Sequence, residues 1–363
     1  MLKVKNLVMT TVLTFGLVAC GAEGDVGSEA VTGDTATTQE TDSSTSAGDD
    51  ATSTGGSTDT ATAPVSEIPF TCPNSAITEG LNTNWQAGGQ ARQFYAYLPN
   101  VDVTTPISVI YVSHGVGDTA ANFKNFVGAQ PDADADFPYV MIVPQGLQLQ
   151  PIAMGGGVAG IEWDIFESIS GDDNLEAALF ESVLGCLAEQ YTVDASRIYT
   201  WGFSGGAILS AMLASRYPEM IGASYVMSGA WFNDRDTVDN IDTGFLTIPF
   251  AWDALNPQHE GTVLMTHGGE NDSYGDPQFA MGGVGNNGRI MSFEDSAYWA
   301  HSHLQNNNRN VIDCPHQNGH TNHPGISNAA VYDFFKSHQA GKATTYTTDG
   351  LPSGLASACT LNP

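Results

Sequence analysis

The stretch Arg197–Pro218 reads RIYTWGFSGGAILSAMLASRYP and constrains the fold more than any other part of the chain. Arg197–Trp201 has the aromatic and β-branched character of a strand, and Ala207–Arg216 carries a helical pattern that closes before Pro218. Between them stands Gly202-Phe203-Ser204-Gly205-Gly206, a G-x-S-x-G turn. A strand that passes through a glycine-flanked serine into a helix holds that serine in a sharp bend at the strand's carboxyl end. Ligands of open parallel sheets bind beyond those ends.

The rest of the chain supplies the sheet. Ile107–His114 and Tyr139–Pro144 read as buried strands, and Ile221–Met227, Thr262–Thr266 and Asn310–Asp313 as further ones. Helical spacing is expected over Asn174–Gln190, Phe293–Leu304 and Ile326–His338. Strands alternating with helices imply an α/β fold, a mostly parallel central sheet with helices on both faces.

The ends divide the chain. Lys3 and Lys5 precede an apolar run from Leu7 to Val18 that is short for a membrane span. Leu17-Val18-Ala19-Cys20 resembles the lipobox of bacterial lipoproteins, which implies a signal peptide over 1–19 and lipidation of Cys20. Such a protein is exported and tied to the cell envelope through its N-terminal lipid. Residues 20–66 are rich in Ser, Thr, Gly, Asp and Glu and nearly devoid of large apolar residues, the composition of a disordered tether. Residues 67–363 have globular composition and are read as one catalytic domain.

Of the 40 acids and 11 Lys and Arg of the chain, nine acids fall in the tether and two lysines before it, leaving 31 acids against nine basic residues. So acidic a domain offers no basic surface for nucleic acid. It suits salty surroundings. Cys72, Cys186, Cys314 and Cys359 are an even set, which in an exported chain implies two disulfides. The expected pairs are Cys72–Cys359, joining the ends, and Cys186–Cys314.

A serine hydroxyl attacks only when a base takes its proton, so a histidine must reach Ser204 and a carboxylate must orient that histidine. In α/β-hydrolases the chain order is serine, acid, histidine. Beyond the strand ending near Thr266, a glycine-rich loop carries Glu270, Asp272 and Asp276, of which Asp272 is selected. The late loop CPHQNGHTNHPG offers His316, His320 and His323; His320 is selected and His323 is second. Two backbone donors should receive the charge on the carbonyl oxygen: the Gly205 N–H, and Val116 in His114-Gly115-Val116-Gly117, with Gly117 next. No metal or other cofactor is expected, since no CxxC or HExxH spacing occurs.

With these residues assembled, the chain resembles the esterases that include poly(3-hydroxybutyrate) depolymerases and feruloyl or acetylxylan esterases. The likeness rests on GDDNLEAALFESVLGCLAEQYTVDASRIYTWGFSGG and SRYPEMIGASYVMSGA, and on Gly319-His320-Thr321 in the late loop. It implies an α/β-hydrolase fold and hydrolysis of carboxylic esters through an acyl-enzyme, on a polyester oligomer or an esterified polysaccharide fragment. Trp163-Asp164 resembles a family feature lining the cleft. Asn322-His323 stands where the family usually has a tryptophan. A ligand-binding lipoprotein without catalysis, or a peptidase on the same fold, are the alternatives.

Overall fold

The computed structural model describes residues 67–147, 152–154, 157–159, 162–165, 174–241, 252–275 and 289–362. The signal sequence, Cys20 and the tether lie outside the described residues, as does Asp276.

An antiparallel hairpin opens the sheet, β1 (Gly80–Ala87) and β2 (Gln90–Tyr97), turning at Gly88-Gly89 with φ of 57° and 72°. There follow β3 (Pro106–Ser113), α1 (Ala120–Val127) and β4 (Tyr139–Pro144), then a small pair, β5 (Ile152–Met154) and β6 (Gly157–Ala159). Next come α2 (Leu175–Gln190), β7 (Thr192–Phe203), α3 (Gly205–Arg216), β8 (Ile221–Met227), α4 (Arg235–Asp239) and β9 (Gly261–His267). The chain continues through β10 (Ser273–Gly275), β11 (Arg289–Ser292), α5 (Phe293–Asn306), β12 (Arg309–Pro315) and α6 (Asn328–Lys336). Two single-turn helices, α7 (Tyr346–Asp349) and α8 (Ser353–Ala356), precede the last strand, β13 (Thr360–Asn362).

Nine strands form one sheet in the order β1-β2-β4-β3-β7-β8-β9-β12-β13. The six from β4 to β12 run parallel, and antiparallel strands close both edges. The expected α/β-hydrolase architecture is therefore present, with a mostly parallel sheet covered on both faces. On β3, Ile107, Val109 and Tyr111 join a core with α2, α3 and α5, whereas Ile110 and Val112 join a second core with α1 and α6. This period of two, in a strand buried on both faces, is why β3 reads as an unbroken apolar run.

Helix starts follow local chemistry. The Asn174 side chain accepts from the N–H groups of Glu176 and Ala177, so α2 begins one residue later than its apolar spacing suggests. Ser327 caps α6 in the same way, which shortens the helix expected over Ile326–His338.

The disulfides correct the sequence-based pairing. Cys72 joins Cys186 and Cys314 joins Cys359, with Cα separations of 4.3 and 4.1 Å. The extended segment at Thr71-Cys72 lies directly on α2, so close that a Cβ at Gly185 would stand 2.4 Å from the Thr71 carbonyl oxygen. That contact brings Cys72 to Cys186. At the other edge the β12–β13 register pairs Asp313 with Thr360, and Cys314 and Cys359 are the next pair along it. Each bridge thus fastens neighbours that the fold has already placed together, rather than one terminus to the other.

Candidate active site

Ser204 occupies the bend between β7 and α3 with φ 54° and ψ −121°, a conformation that a residue with a side chain adopts only under strain. The glycines on either side make room. A Cβ at Gly202 would stand 2.1 Å from the Gly206 carbonyl oxygen, and one at Gly206 would stand 2.1 Å from that of Ser113. No side chain fits at either position, so both ends of the G-x-S-x-G turn are fixed by backbone contact.

The three residues selected for nucleophile, base and acid meet. His320 Nε2 lies 2.9 Å from Ser204 Oγ, and His320 Nδ1 lies 2.6 Å from Asp272 Oδ1. Asp272 is fully buried, and its second oxygen accepts from Ser228 Oγ at 2.8 Å and from the Gly268 N–H at 2.7 Å. The acid therefore has three donors and the imidazole is oriented by one of its oxygens. The His320 ring lies against Phe293, with centroids 4.9 Å apart and planes at 13°, and against Phe203 at 4.8 Å. These two rings hold the imidazole plane while 30 % of the side chain stays open to solvent.

The loops that carry acid and base are joined by their backbones. Extending the β9–β12 ladder, the N–H groups of His316 and Gly319 donate to the carbonyls of His267 and Gly268, both at 2.9 Å. Gly319 adopts φ 71°, and the Thr321 N–H returns to the Gly319 carbonyl at 2.8 Å, so His320 stands at the tip of a tight turn. The alternatives lie elsewhere. Glu270 is exposed on the short turn before Asp272. His323 is buried and its Nδ1 accepts from the Gly325 N–H at 2.9 Å, while its ring meets that of His316 edge-on at 5.1 Å. Burial lowers the pKa of both histidines. They shape the loop that presents His320.

The backbones of Gly205 and Val116, the two selected donors, come close together beside the serine. Gly205 follows Ser204, and a Cβ there would meet Val116 Cγ2 at 2.7 Å and the Val116 nitrogen at 3.7 Å. Neither N–H has a hydrogen-bond acceptor among the described residues. Gly117, the second candidate, is already engaged, its N–H donating to Glu162 Oε2 at 3.1 Å. Two more bonds brace this loop. The Trp163 indole donates to the His114 carbonyl at 2.9 Å, and His114 Nδ1–H donates to the Gly115 carbonyl at 2.8 Å. The Gly146 N–H donates to His114 Nε2 at 3.1 Å, which fixes the tautomer, and burial lowers the His114 pKa so that the ring stays neutral. Trp163 is completely buried behind the loop, so it supports the donors and does not line the cleft as the family likeness implies.

Among the described residues no group of three or more His, Cys, Asp or Glu is arranged to hold a metal. A cleft of about 330 Å³ opens beside His320, between Phe126, Phe203, Asp118, Asn122 and Asn322.

Ser228, Phe293 and Glu162 were not identified from the sequence as site residues. Ser228 follows β8 with φ 52°, yet a Ser-Gly pair after a strand is common. Phe293 starts a helix and reads as core. Glu162 had a faint signal, its place directly before Trp163-Asp164.

A serine bend on a mostly parallel sheet, with histidine and acid delivered from later strand ends, defines an α/β-hydrolase. The chain belongs to the family described as putative esterase, whose model matches residues 86–311. It is 26 % identical over 153 residues to feruloyl esterase B of Neurospora crassa, covering 40 % of this chain and 47 % of that protein. To the probable acetylxylan esterase A of Aspergillus fumigatus it is again 26 % identical over 153 residues, covering 40 % and 37 %. The chain thus spans less than half the length of these curated relatives. Among solved structures it is similar to native sOPH, with TM-score 0.61 at 16 % identity over 81 % of this chain and 97 % of that one. Native pOPH gives TM-score 0.59 at 18 % identity over the same shares. At such identity these structures speak for the fold alone.

Proposed function

We propose that the protein is an exported serine esterase that hydrolyses carboxylic esters through an acyl-enzyme. The observation that carries this reading is the unbroken relay from Ser204 Oγ through His320 to Asp272, at 2.9 and 2.6 Å. Ser204 Oγ attacks the ester carbonyl as His320 Nε2 takes its proton. Asp272 holds the other imidazole nitrogen and faces the positive charge that forms on the ring. The carbonyl oxygen, now negative, turns toward the N–H groups of Gly205 and Val116, a contribution of about 3–4 kcal/mol per donor where it has been measured. His320 then returns the proton to the leaving alcohol, and a water repeats the sequence to release the acid.

The substrate reading follows the relatives, whose names point to feruloyl and acetyl esters. We assign this chain to esters of that kind on a polysaccharide fragment, with a polyester oligomer as the competing substrate. Two disulfides support folding in an oxidising compartment outside the cytosol. Lipid attachment at Cys20, with residues 20–66 as tether to the cell envelope, belongs to the same reading.

Ser204→Ala tests the mechanism. Hydrolysis of methyl ferulate, p-nitrophenyl acetate and a 3-hydroxybutyrate oligomer should fall to background in the variant at unchanged melting temperature. A fluorophosphonate should label only the parent protein. Turnover that survives the substitution rules out Ser204 as nucleophile, and a parent protein that neither turns over nor labels is a binding protein.

A further inference from the structure

The cleft beside His320 carries information about the leaving alcohol. Its orientation follows from the reaction geometry and rests on the esterase reading above. His320 Nε2 must hand its proton to the leaving oxygen, so the alcohol half of an ester lies on the imidazole side of Ser204. The carbonyl oxygen lies on the side of Gly205 and Val116. The cleft is bounded by His320 and the residues that follow it, and neither Gly205 nor Val116 lines it. It is therefore placed for the alcohol, not the acyl group.

Its size and lining narrow the choice. About 330 Å³ is at the small end of ligand sites and suits a single six-membered ring with its substituents. Phe126 supplies an aromatic face, 37 % exposed and stacked on Phe123 at 5.3 Å. Around it stand the amides of Asn122 and Asn322 and the carboxylate of Asp118. Asn122 Nδ2 donates to Asp118 Oδ1 at 2.9 Å, which leaves the other carboxylate oxygen available. Among the described residues no Lys or Arg lines the cleft. The one lysine on α1, Lys124, bonds Asn125 and lies over the Tyr95 ring at 5.0 Å.

We propose that this cleft is the leaving-group site and that Asp118 makes it select uncharged, hydroxyl-rich alcohols over alcohols bearing a carboxylate. Hydroxyls can bond to Asp118, Asn122 and Asn322 while a ring face rests on Phe126. A carboxylate in the same cleft meets the charge of Asp118, which no lining Lys or Arg among the described residues offsets. The distinction separates the two substrate readings. Cleavage of a short hydroxyacid oligomer at its last ester bond expels a hydroxycarboxylate, whereas removal of an acyl group from a sugar expels a neutral polyol.

The test holds the acyl group constant. kcat/KM is measured on 3-acetoxybutyrate, on its methyl ester and on a monoacetylated methyl xyloside, with p-nitrophenyl acetate as reference for a competent Ser204. The ratio of methyl ester to free acid within one enzyme isolates charge and is insensitive to how much of a variant is active. For two like charges within one small, half-open cleft that ratio should be roughly tenfold. It should shrink in 0.5 M NaCl, which screens exposed charges. Asp118→Asn should bring the ratio close to one, Asp118→Glu should keep it, and the parent should prefer the xyloside to both butyrate esters. A ratio that Asp118→Asn leaves unchanged, or a parent that prefers the free acid, overturns the assignment. Loss of Ser204-dependent turnover of p-nitrophenyl acetate would instead remove the esterase reading itself.

Discussion

Ser228→Ala separates what holds the catalytic acid from what moves the proton. Asp272 has three donors, His320 Nδ1–H at 2.6 Å, Gly268 N–H at 2.7 Å and Ser228 Oγ–H at 2.8 Å. A hydrogen bond to a charged group contributes about 1.5–3 kcal/mol, and Asp272 is completely buried, so no solvent replaces the lost donor freely. The carboxylate is charged both before the attack and in the transition state. Losing Ser228 therefore weakens the folded protein in both and leaves the barrier itself little changed. The expected result is a stability loss of about 2 kcal/mol with a fall in kcat of only several-fold. Ser228 also sits at φ 52°, where a glycine is unstrained. Ser228→Gly loses the same hydrogen bond but relieves backbone strain, so it should be the more stable of the two variants by about 1 kcal/mol. Urea unfolding of the three proteins, with kcat and KM on p-nitrophenyl acetate, gives all the quantities needed. A thousandfold fall in kcat at unchanged stability refutes this reasoning, because it makes Ser228 a participant in the reaction and not a support for Asp272.

Two further expectations follow from other parts of the structure. Glu162→Ala frees the Gly117 N–H and loosens the loop that carries Val116, so kcat should fall by roughly tenfold with KM little moved; Glu162→Gln keeps an acceptor oxygen and should recover most of the loss, and equal losses in both variants would mean that the charge matters and not the bond. His338 is buried between Phe334 O and Thr344 Oγ1, and burial lowers its pKa from 6.5 to about 4, so the folded state keeps it neutral where the unfolded state takes up a proton. Its stabilisation is complete above pH 6.5 and drains away as the pH falls to about 4, a loss of about 3 kcal/mol. Urea unfolding between pH 4 and 7 should show this slope, and His338→Gln should flatten it; an unchanged slope would place the acid sensitivity elsewhere.

How much was legible depended on the range of the interaction. The parallel strands are buried on both faces, so their apolar runs stand out, and Ser204, Asp272 and His320 lie just past strand ends, where the chemistry of open sheets requires them. The edge hairpin β1–β2 was missed in the sequence, because its strands mix polar and apolar residues where one side meets solvent. The strand β13 is three residues long and exists only because β12 offers it an edge. Disulfide pairing failed for a related reason. It depends on the packing of Thr71-Cys72 on α2 and on the β12–β13 register, both of which join segments far apart in sequence. Glu162 was hidden because a carboxylate that bonds one distant N–H looks like any other acid.

The relay itself can be traced to the order of strands. β7, β8, β9 and β12 are consecutive neighbours, and each contributes one group just beyond its carboxyl end: Ser204, Ser228, Asp272 and His320. At the first two ends the ladder continues into the bend, since the Ser204 N–H donates to the Met227 carbonyl at 2.9 Å and the Ser228 N–H to that of Thr266 at 2.8 Å. Both serines have positive φ, a strain of order 1–3 kcal/mol each. The sheet bonds hold the backbone there, because relaxing either bend would break a hydrogen bond to the next strand. The hydroxyls therefore point across the strand ends rather than along them, Ser204 toward the imidazole and Ser228 toward the carboxylate that orients it. A one-residue shift in either bend would reverse the side to which its hydroxyl points and disconnect the relay, which is why the two strained residues are placed by the most regular part of the fold.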